Sequence, residues 1–141
     1  MLNGFPILNT FPELLALEHL APFILRVTLG VIMINIGYLK WKGEFPRWKI
    51  FAEALGFTRN RAAFIKGIGV LEYVSGVALI IGLYTQLASL LLVILSGIEL
   101  YAEHKESALV KRDIVFYILI FSIALSLLFS GAGAFSLDLP L

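Results

Sequence analysis

The sequence contains no cysteine, and it has few charged residues. Among its 141 residues are 11 Lys and Arg and 10 Asp and Glu, so that 15% are charged and the formal net charge is +1. An average soluble domain has about 25% charged residues. The lack of thiols excludes disulfides, thiolate metal sites, iron–sulfur clusters and thiol nucleophiles. The small number of charges excludes a disordered chain, a nucleic-acid binder and a typical water-soluble enzyme.

Hydrophobic residues are abundant instead, at 60% of the chain, and the mean hydropathy is +0.93. A helix that crosses the hydrocarbon core of a bilayer needs about 20 mostly apolar residues. Four segments have this composition, and they cover residues 20–38, 62–83, 87–101 and 114–130. The sequence therefore predicts an all-α fold, an integral membrane four-helix bundle that forms one transmembrane domain over residues 1–141.

The basic residues indicate how this bundle is oriented. Ten of the 11 lie between residues 40 and 66 or between residues 105 and 112, which are the two longer connections between the spans. Short loops that are rich in Lys and Arg stay in the cytoplasm. We therefore expect both termini on the outer side of the membrane.

Two further segments are predicted to be short interfacial helices. One follows Thr10 in TFPELLALEHL, on the outer side. The other covers residues 45–56, where aromatic and basic residues alternate at helical spacing as in helices on the inner leaflet surface; a plain loop is the alternative. Four aromatic residues are expected in the belts at the two interfaces: Trp41, Trp48, Tyr84 and Tyr101.

Three charged residues stand out inside the predicted spans, Arg26, Glu72 and Glu99, whereas Lys66 lies only just inside the second span. An ionisable group in a span costs about 2.5–3.5 kcal/mol on insertion scales, so each one requires a reason. Arg26 shares a helix face with Gly30 and Gly37, and it is either a site residue or a side chain that snorkels to the outer headgroups. Glu99 is expected at the inner interface, near the end of its span.

Glu72 is the strongest candidate, because it lies roughly 15 Å from either membrane surface. It is either a protonated carboxyl group bonded to a neighbouring helix, or a group that carries a proton or binds a ligand. Arg26 is the obvious partner, but the two side chains lean in opposite directions along the membrane normal. A water bridge between them, or a contact of Glu72 with Asn35, is therefore an equally good alternative. Asp138 suits Arg26 better if the C-terminal tail folds back.

Other polar and small residues are assigned to helix packing. Four glycines are expected to let helices approach closely: Gly30, Gly37, Gly69 and Gly76. Three serines at steps of four are also expected to serve packing: Ser122, Ser126 and Ser130. No metal or haem site is predicted, because His19 and His104 are expected on opposite sides of the membrane.

Three motifs resemble the DoxX family of small prokaryotic membrane proteins: RVTLGVIMINIGYLK, LEYVSGVALIIGLYT and GAGAFSLD, within residues 21–139. The family's polar positions correspond to Arg26, Lys40, Glu72, Thr85 and Asp138. Glu99 and the inner loop match no pattern of the family. The resemblance implies a four-helix bundle in the prokaryotic plasma membrane. It also implies a link to respiratory or sulfur redox metabolism, since relatives include subunits of a thiosulfate:quinone oxidoreductase.

Together these features predict an accessory subunit of a quinone-linked redox complex, embedded in the membrane. A polar pocket of Arg26, Glu72 and Asp138 would bind a quinone head group or a small anion, and Glu72 would carry a proton. Further candidates for this pocket are Asn35, Lys40 and Thr85. With no intrinsic cofactor, the chain would need a quinone or a soluble or membrane oxidoreductase partner to carry electrons.

Two other functions remain open. In the first, the chain is a non-catalytic membrane anchor or assembly protein. In the second, it is a small transporter, which fits less well because the chain has few polar groups. The sequence contains no self-sufficient catalytic set, so whether the protein is an enzyme is left open. No nucleic-acid partner is expected, and the glycine faces allow a homo-oligomer without specifying one.

Overall fold

The computed structural model describes residues 17–42, 45–57, 59–105 and 114–138. All regular structure in these residues is helical, so the fold is all-α, as predicted. The five helices are α1 (Leu20–Lys42), α2 (Phe45–Ala54), α3 (Arg61–Ile81), α4 (Thr85–Lys105) and α5 (Ile114–Ser130). The interfacial helix predicted after Thr10 falls outside the described residues.

Three helices are long and apolar enough to cross a membrane. Helices α1, α3 and α4 have 21–23 residues and mean hydropathies of 1.6–1.8. At about 1.5 Å per residue each is about 30 Å long, which matches the hydrocarbon core. Helix α5 has 17 residues, none of them charged. Lengths and composition thus fit a protein that crosses the membrane several times.

Glycine pairs bring α1 and α3 into close contact. A Cβ atom on Gly76 would lie 2.7 Å from the carbonyl oxygen of Gly30, and one on Gly69 would lie 2.9 Å from that of Gly37. Backbones approach this closely only where no side chain intervenes. Because Gly30 faces Gly76 and Gly37 faces Gly69, the two helices are antiparallel.

Helix α2 packs its apolar face on the protein, against α3 and α4. Trp48, Phe51 and Ala52 are 9%, 3% and 0% exposed. The expectation that this face lies on the inner leaflet is therefore wrong, and Trp48 does not belong to an aromatic belt. The other three aromatic residues expected in the belts are 56–66% exposed: Trp41, Tyr84 and Tyr101.

Helix α5 packs on α4 and, over a smaller area, on α1. Its buried residues are Tyr117, Ile120, Ala124 and Leu127. These residues occupy the face that meets the other helices, and the serine row points away from it. The expected packing role within the chain is therefore wrong for all three serines: Ser122, Ser126 and Ser130.

Residues 131–138 fold back beside the start of α1, where the Ala134 N–H donates a hydrogen bond of 3.0 Å to the His19 carbonyl oxygen. We call this the tail end of the protein and the opposite end, where α2 lies, the α2 end. Helices α1 and α4 run from the tail end toward the α2 end. Helices α3 and α5 run the other way. His19 and His104 consequently lie at opposite ends.

Candidate functional site

Charged side chains from three helices meet inside the protein. The Lys40 Nζ atom of α1 donates hydrogen bonds to Oε1 of Glu72 on α3 and to Oε1 of Glu99 on α4. The three residues are 1%, 1% and 2% exposed. We call these three residues the Lys40 cluster. It ties α1, α3 and α4 together in a region that solvent does not reach.

Helix α2 covers the Lys40 cluster on the side of the α2 end. The Lys40 Nζ atom lies 4.1 Å from the centre of the Trp48 ring, and a cation over an aromatic ring is favoured by about 2 kcal/mol when desolvated. Trp48 in turn packs edge-on against Phe51, with ring centroids 5.6 Å apart. The segment predicted to lie on the membrane surface is thus the cover of a buried ionic cluster.

The Lys40 cluster contains more acid than base. One ammonium group meets the carboxyl groups of Glu72 and Glu99, and Glu103, one turn further along α4, is also buried, at 4% exposed. The Oε2 atom of Glu72 has no hydrogen-bond partner among the described residues. An uncompensated charge is expensive to bury. The three residues of the cluster are neutral together when one of the two carboxyl groups holds a proton.

Arg26 forms a second buried centre, at the tail end. Its Nη1 atom donates to the carbonyl oxygen of Ala132 at 2.7 Å, and Nη2 donates to those of Ala134 and Phe135 at 3.3 and 3.0 Å. The side chain is 0% exposed. The alternative of a guanidinium that snorkels to headgroups is therefore wrong, because the folded tail supplies the acceptors.

Asp138 caps the start of α4. Its Oδ1 atom accepts a hydrogen bond from the Tyr84 N–H and its Oδ2 atom one from the Thr85 N–H, both at 2.7 Å. The first N–H groups of a helix lack partners within the helix, and negative charge is favoured there. This cap explains why α4 begins at Thr85, two residues before the predicted start of the span.

The surroundings of Asp138 keep it ionised. Burial raises its pKa, but the hydrogen bonds from Thr85 and Tyr84 and the positive charge of Arg26 outweigh burial, so the pKa lies below its ordinary value. Asp138 therefore carries its charge at neutral pH, and this charge attracts that of Arg26.

Gly82 explains the GLYT motif. It follows α3 with a φ of 75°, the left-handed conformation that commonly ends helices at glycine. A Cβ atom on it would lie 2.7 Å from Nη1 of Arg26 and 2.8 Å from Cα of Ser136. Its carbonyl oxygen also accepts the Asp138 N–H at 2.9 Å. A glycine is thus required where the α3–α4 turn, the arginine and the tail meet.

The structure divides the predicted pocket into two centres. Arg26, Thr85 and Asp138 lie at the tail end, whereas Glu72 and Lys40 belong to the cluster. The expected common pocket of Arg26 and Glu72 is not formed, since the two side chains lean apart and each has other partners. Asn35, the other proposed partner of Glu72, points outward from α1 and is exposed.

The interfacial position expected for Glu99 is wrong, because this residue is buried and paired with Lys40. A signal for the cluster is present in the sequence. Lys40 lies on the same face of α1 as Gly30 and Gly37, and a face of glycines is turned toward another helix. A lysine on that face is therefore expected to point toward the other helices and to be buried.

A family model described as DoxX matches residues 21–103, which is more than half of the chain. The chain belongs to the DoxX family. The match covers Arg26 and the whole Lys40 cluster, and it ends before α5 and Asp138. No curated protein and no solved structure matched the chain. As a DoxX protein with three long apolar helices, it is a multi-pass membrane protein in contact with the lipid bilayer.

Proposed function

We propose that this DoxX protein is a membrane-embedded accessory subunit of a respiratory or sulfur-redox complex that works with quinone, and that its Lys40 cluster stores a proton for that complex. The observation that carries the proposal is the composition of the cluster, in which one ammonium group is bonded to two carboxyl groups. A membrane protein has little reason to bury a second acid beside a pair that is already neutral, unless that acid takes up and releases a proton.

The proposal includes a topology. Helix α5 is the fourth span and completes a four-helix bundle with α1, α3 and α4. The basic residues are concentrated between residues 40 and 66 and between residues 105 and 112. The positive-inside rule then assigns the α2 end to the cytoplasm and both termini to the outside of the prokaryotic plasma membrane.

The charged side chains that the sequence suggested for a quinone head group have partners within this chain. The Nη atoms of Arg26 are bonded to tail carbonyls, and the Lys40 Nζ atom is bonded to two carboxyl groups. Arg26, Lys40 and Glu72 are all 0–1% exposed. We therefore assign the quinone to an oxidoreductase partner or to the interface with it. The partner also supplies the electrons, and this chain contributes a proton.

The cluster suits this task because its two charge states differ by one proton. With one carboxyl group protonated, the cluster is neutral and stable in apolar surroundings. Loss of that proton leaves a net negative charge beside Lys40, which draws in the next proton. Reduction of a quinone to a quinol takes up two electrons and two protons, so a store that refills in this way serves each turnover.

The experiment compares Glu72→Gln with Glu53→Gln, the same change at a partly exposed residue of α2 that pairs with Arg61. Both variants are assayed in native membranes for quinone-linked respiration and, after purification into nanodiscs, for carboxyl protonation by infrared spectroscopy. We expect Glu72→Gln alone to remove a pH-dependent carboxyl band and to lower activity about tenfold or more. A Glu72→Gln protein that folds, keeps the band and keeps full activity would overturn the proposal.

The Arg26 centre favours a second candidate, a non-catalytic anchor or assembly protein. Both Nη atoms of Arg26 and both carboxylate oxygens of Asp138 are bonded to this chain's own backbone, an arrangement that only stabilises the fold. For an anchor, Glu72→Gln lowers thermal stability but leaves the activity per folded molecule unchanged. A transporter is less well supported, because α2 closes the cluster toward one end.

A further inference from the structure

A row of polar side chains on α4 runs from the Lys40 cluster toward the tail end. Thr85, Ser89, Ser96 and Glu99 lie within about 40° of one line along the helix, at 3.6 residues per turn. Thr85 and Ser89 are 0% exposed and Ser96 is 2% exposed. Because Glu99 in this row bonds to Lys40 of α1, the row faces the interior between α1 and α3.

The row has no hydroxyl group at Leu92, between Ser89 and Ser96, and Ser75 of the neighbouring helix α3 lies near this level. Helices α3 and α4 are antiparallel and are joined by the short turn at residues 82–84. Ser75 and Leu91 are equally far from this turn along the chain, so Ser75 lies within about 1.5 Å of the level of Leu92. Ser75 is 4% exposed. A hydroxyl group is thus present at each level between Thr85 and the cluster.

The spacing of these hydroxyl groups suits bridging water. Successive groups are separated by rises of about 3–7.5 Å along the helices. One water molecule bonded to two oxygens spans about 5.6 Å, so one or two water molecules bridge each step. In the part of the chain that the structure describes, neither Oγ of Ser89 nor Oε2 of Glu72 has a hydrogen-bond partner. Buried polar atoms are nearly always bonded, and water serves where protein does not.

We propose that Thr85, Ser89, Ser75 and Ser96, bridged by water, form a proton path that links the Lys40 cluster to the tail end. This inference rests on the proposed function, since it describes how the proton store is filled. A hydroxyl group or a water molecule accepts one proton and donates another, so the path moves a proton without changing its own composition. The Ser96 hydroxyl, which donates to the Leu92 carbonyl oxygen at 2.6 Å, turns away from it when it passes a proton on.

The surroundings of the cluster differ between its two sides, and the difference supports a path toward the tail end. Toward the α2 end, the ring of Trp48, backed by Phe51, covers Lys40, and the carboxyl group on that side, Glu103, is itself 4% exposed and so is closed off from water. Toward the tail end, the row finishes at Thr85, whose N–H bonds to the carboxylate of Asp138. Asp138 is partly exposed, so this end of the row lies beside a carboxylate that water reaches.

Trp48 makes the path measurable. The chain has two tryptophans, so Trp48 is the remaining one in a Trp41→Phe background, and its emission reports the charge on Lys40 and its partners. After a rapid pH jump on protein in nanodiscs, we expect Ser89→Ala and Ser75→Ala to slow the emission change about tenfold or more. The final amplitude stays the same. Ser122→Ala, the same change on the outward face of α5, keeps the rate of the background.

The outcomes separate the path from the proton store. If Ser89→Ala and Ser75→Ala respond as fast as Ser122→Ala, the path is overturned and the store stands. If Trp48 emission does not change with pH in the Trp41→Phe background, or changes in the same way after Glu72→Gln, the proton store itself is overturned. Thr85→Val keeps the side-chain shape and removes one hydroxyl group. A slower response in this variant at unchanged Tm supports the path even where a serine variant folds poorly.

Discussion

The two buried centres of this protein neutralise their charges in different ways. At the tail end, Arg26 is bonded to three backbone carbonyl groups and Asp138 to two backbone N–H groups. In the cluster, Lys40 is bonded to two carboxyl groups. Backbone groups do not titrate, whereas carboxyl groups do. Near neutral pH the arginine centre therefore keeps one protonation state and holds the fold, while the lysine centre contains the titratable groups on which the proposed proton store depends.

The largest effect is expected for Lys40→Met. This change leaves two buried carboxyl groups without a cation, and breaking a buried pair costs about 3–5 kcal/mol. We expect the loss in unfolding free energy to be greatest at neutral to alkaline pH and to shrink as acid protonates both carboxyl groups. Thermal or denaturant unfolding in detergent at several pH values measures it.

A triple variant, Lys40→Met with Glu72→Gln and Glu99→Gln, is the matched control. It has no charge left in the cluster, and replacing a whole buried ionic group by neutral residues is often harmless. We expect it to regain most of the lost stability. If the single and triple variants were equally unstable, the cluster would not be an ionic unit.

A smaller effect is expected for Arg26→Met, which removes three hydrogen bonds from a charged donor. Such bonds contribute about 1.5–3 kcal/mol each and are not additive, so we expect a total loss of about 2–4 kcal/mol. Since neither arginine nor a backbone carbonyl titrates near neutrality, the loss is constant between about pH 6 and 9.

Hydrogen exchange tests the same variant locally. The amides of residues 132–138 should exchange faster in Arg26→Met, and the emission of Trp48 should keep its response to pH. A stability loss that varies with pH as in Lys40→Met would remove the distinction between the two centres.

The smallest effect is expected for Asp138→Ala, which removes the cap of α4 and costs about 1 kcal/mol at neutral pH. Because the pKa of Asp138 is lowered in the folded protein, its contribution is fully present above the ordinary value of about 3.9 and is lost as the pH falls through the lower folded value. The Tm difference from the unmodified protein should therefore vanish in strong acid. A difference that persists there would show that the carboxylate charge is not responsible.

Hydropathy predicted the helices well, because a run of apolar residues long enough to cross lipid has few other uses. The predicted span 114–130 coincides with α5, and the span 62–83 differs from α3 by two residues at most. The end of α1 was placed too early, at Tyr38. Lys40 looks like the start of a cytoplasmic loop, but its charge is neutralised inside the protein and the helix continues.

The partners of the buried charges depend on how the helices rotate about their axes, which composition does not specify. Glu72 was recognised as buried, yet its cation lies 32 residues away on another helix. Asp138 and the N–H of Tyr84 are 54 residues apart, and their contact requires the tail to fold back first. Sequence periodicity shows which residues share a face of one helix. It does not show how several helices are placed relative to one another, and these contacts depend on that placement.

The carbonyl groups that bind Arg26 are 106 to 109 residues further along the chain. During synthesis α1, α3 and α4 leave the ribosome before residue 132 does, so the guanidinium enters the membrane without its final partners. The segment after α5 thus docks late and supplies the hydrogen-bond acceptors of an arginine in the first helix. A chain that ends before residue 132 keeps an arginine without these acceptors, at a cost of about 2.5–3.5 kcal/mol. This cost makes a truncated molecule less stable than a full-length one.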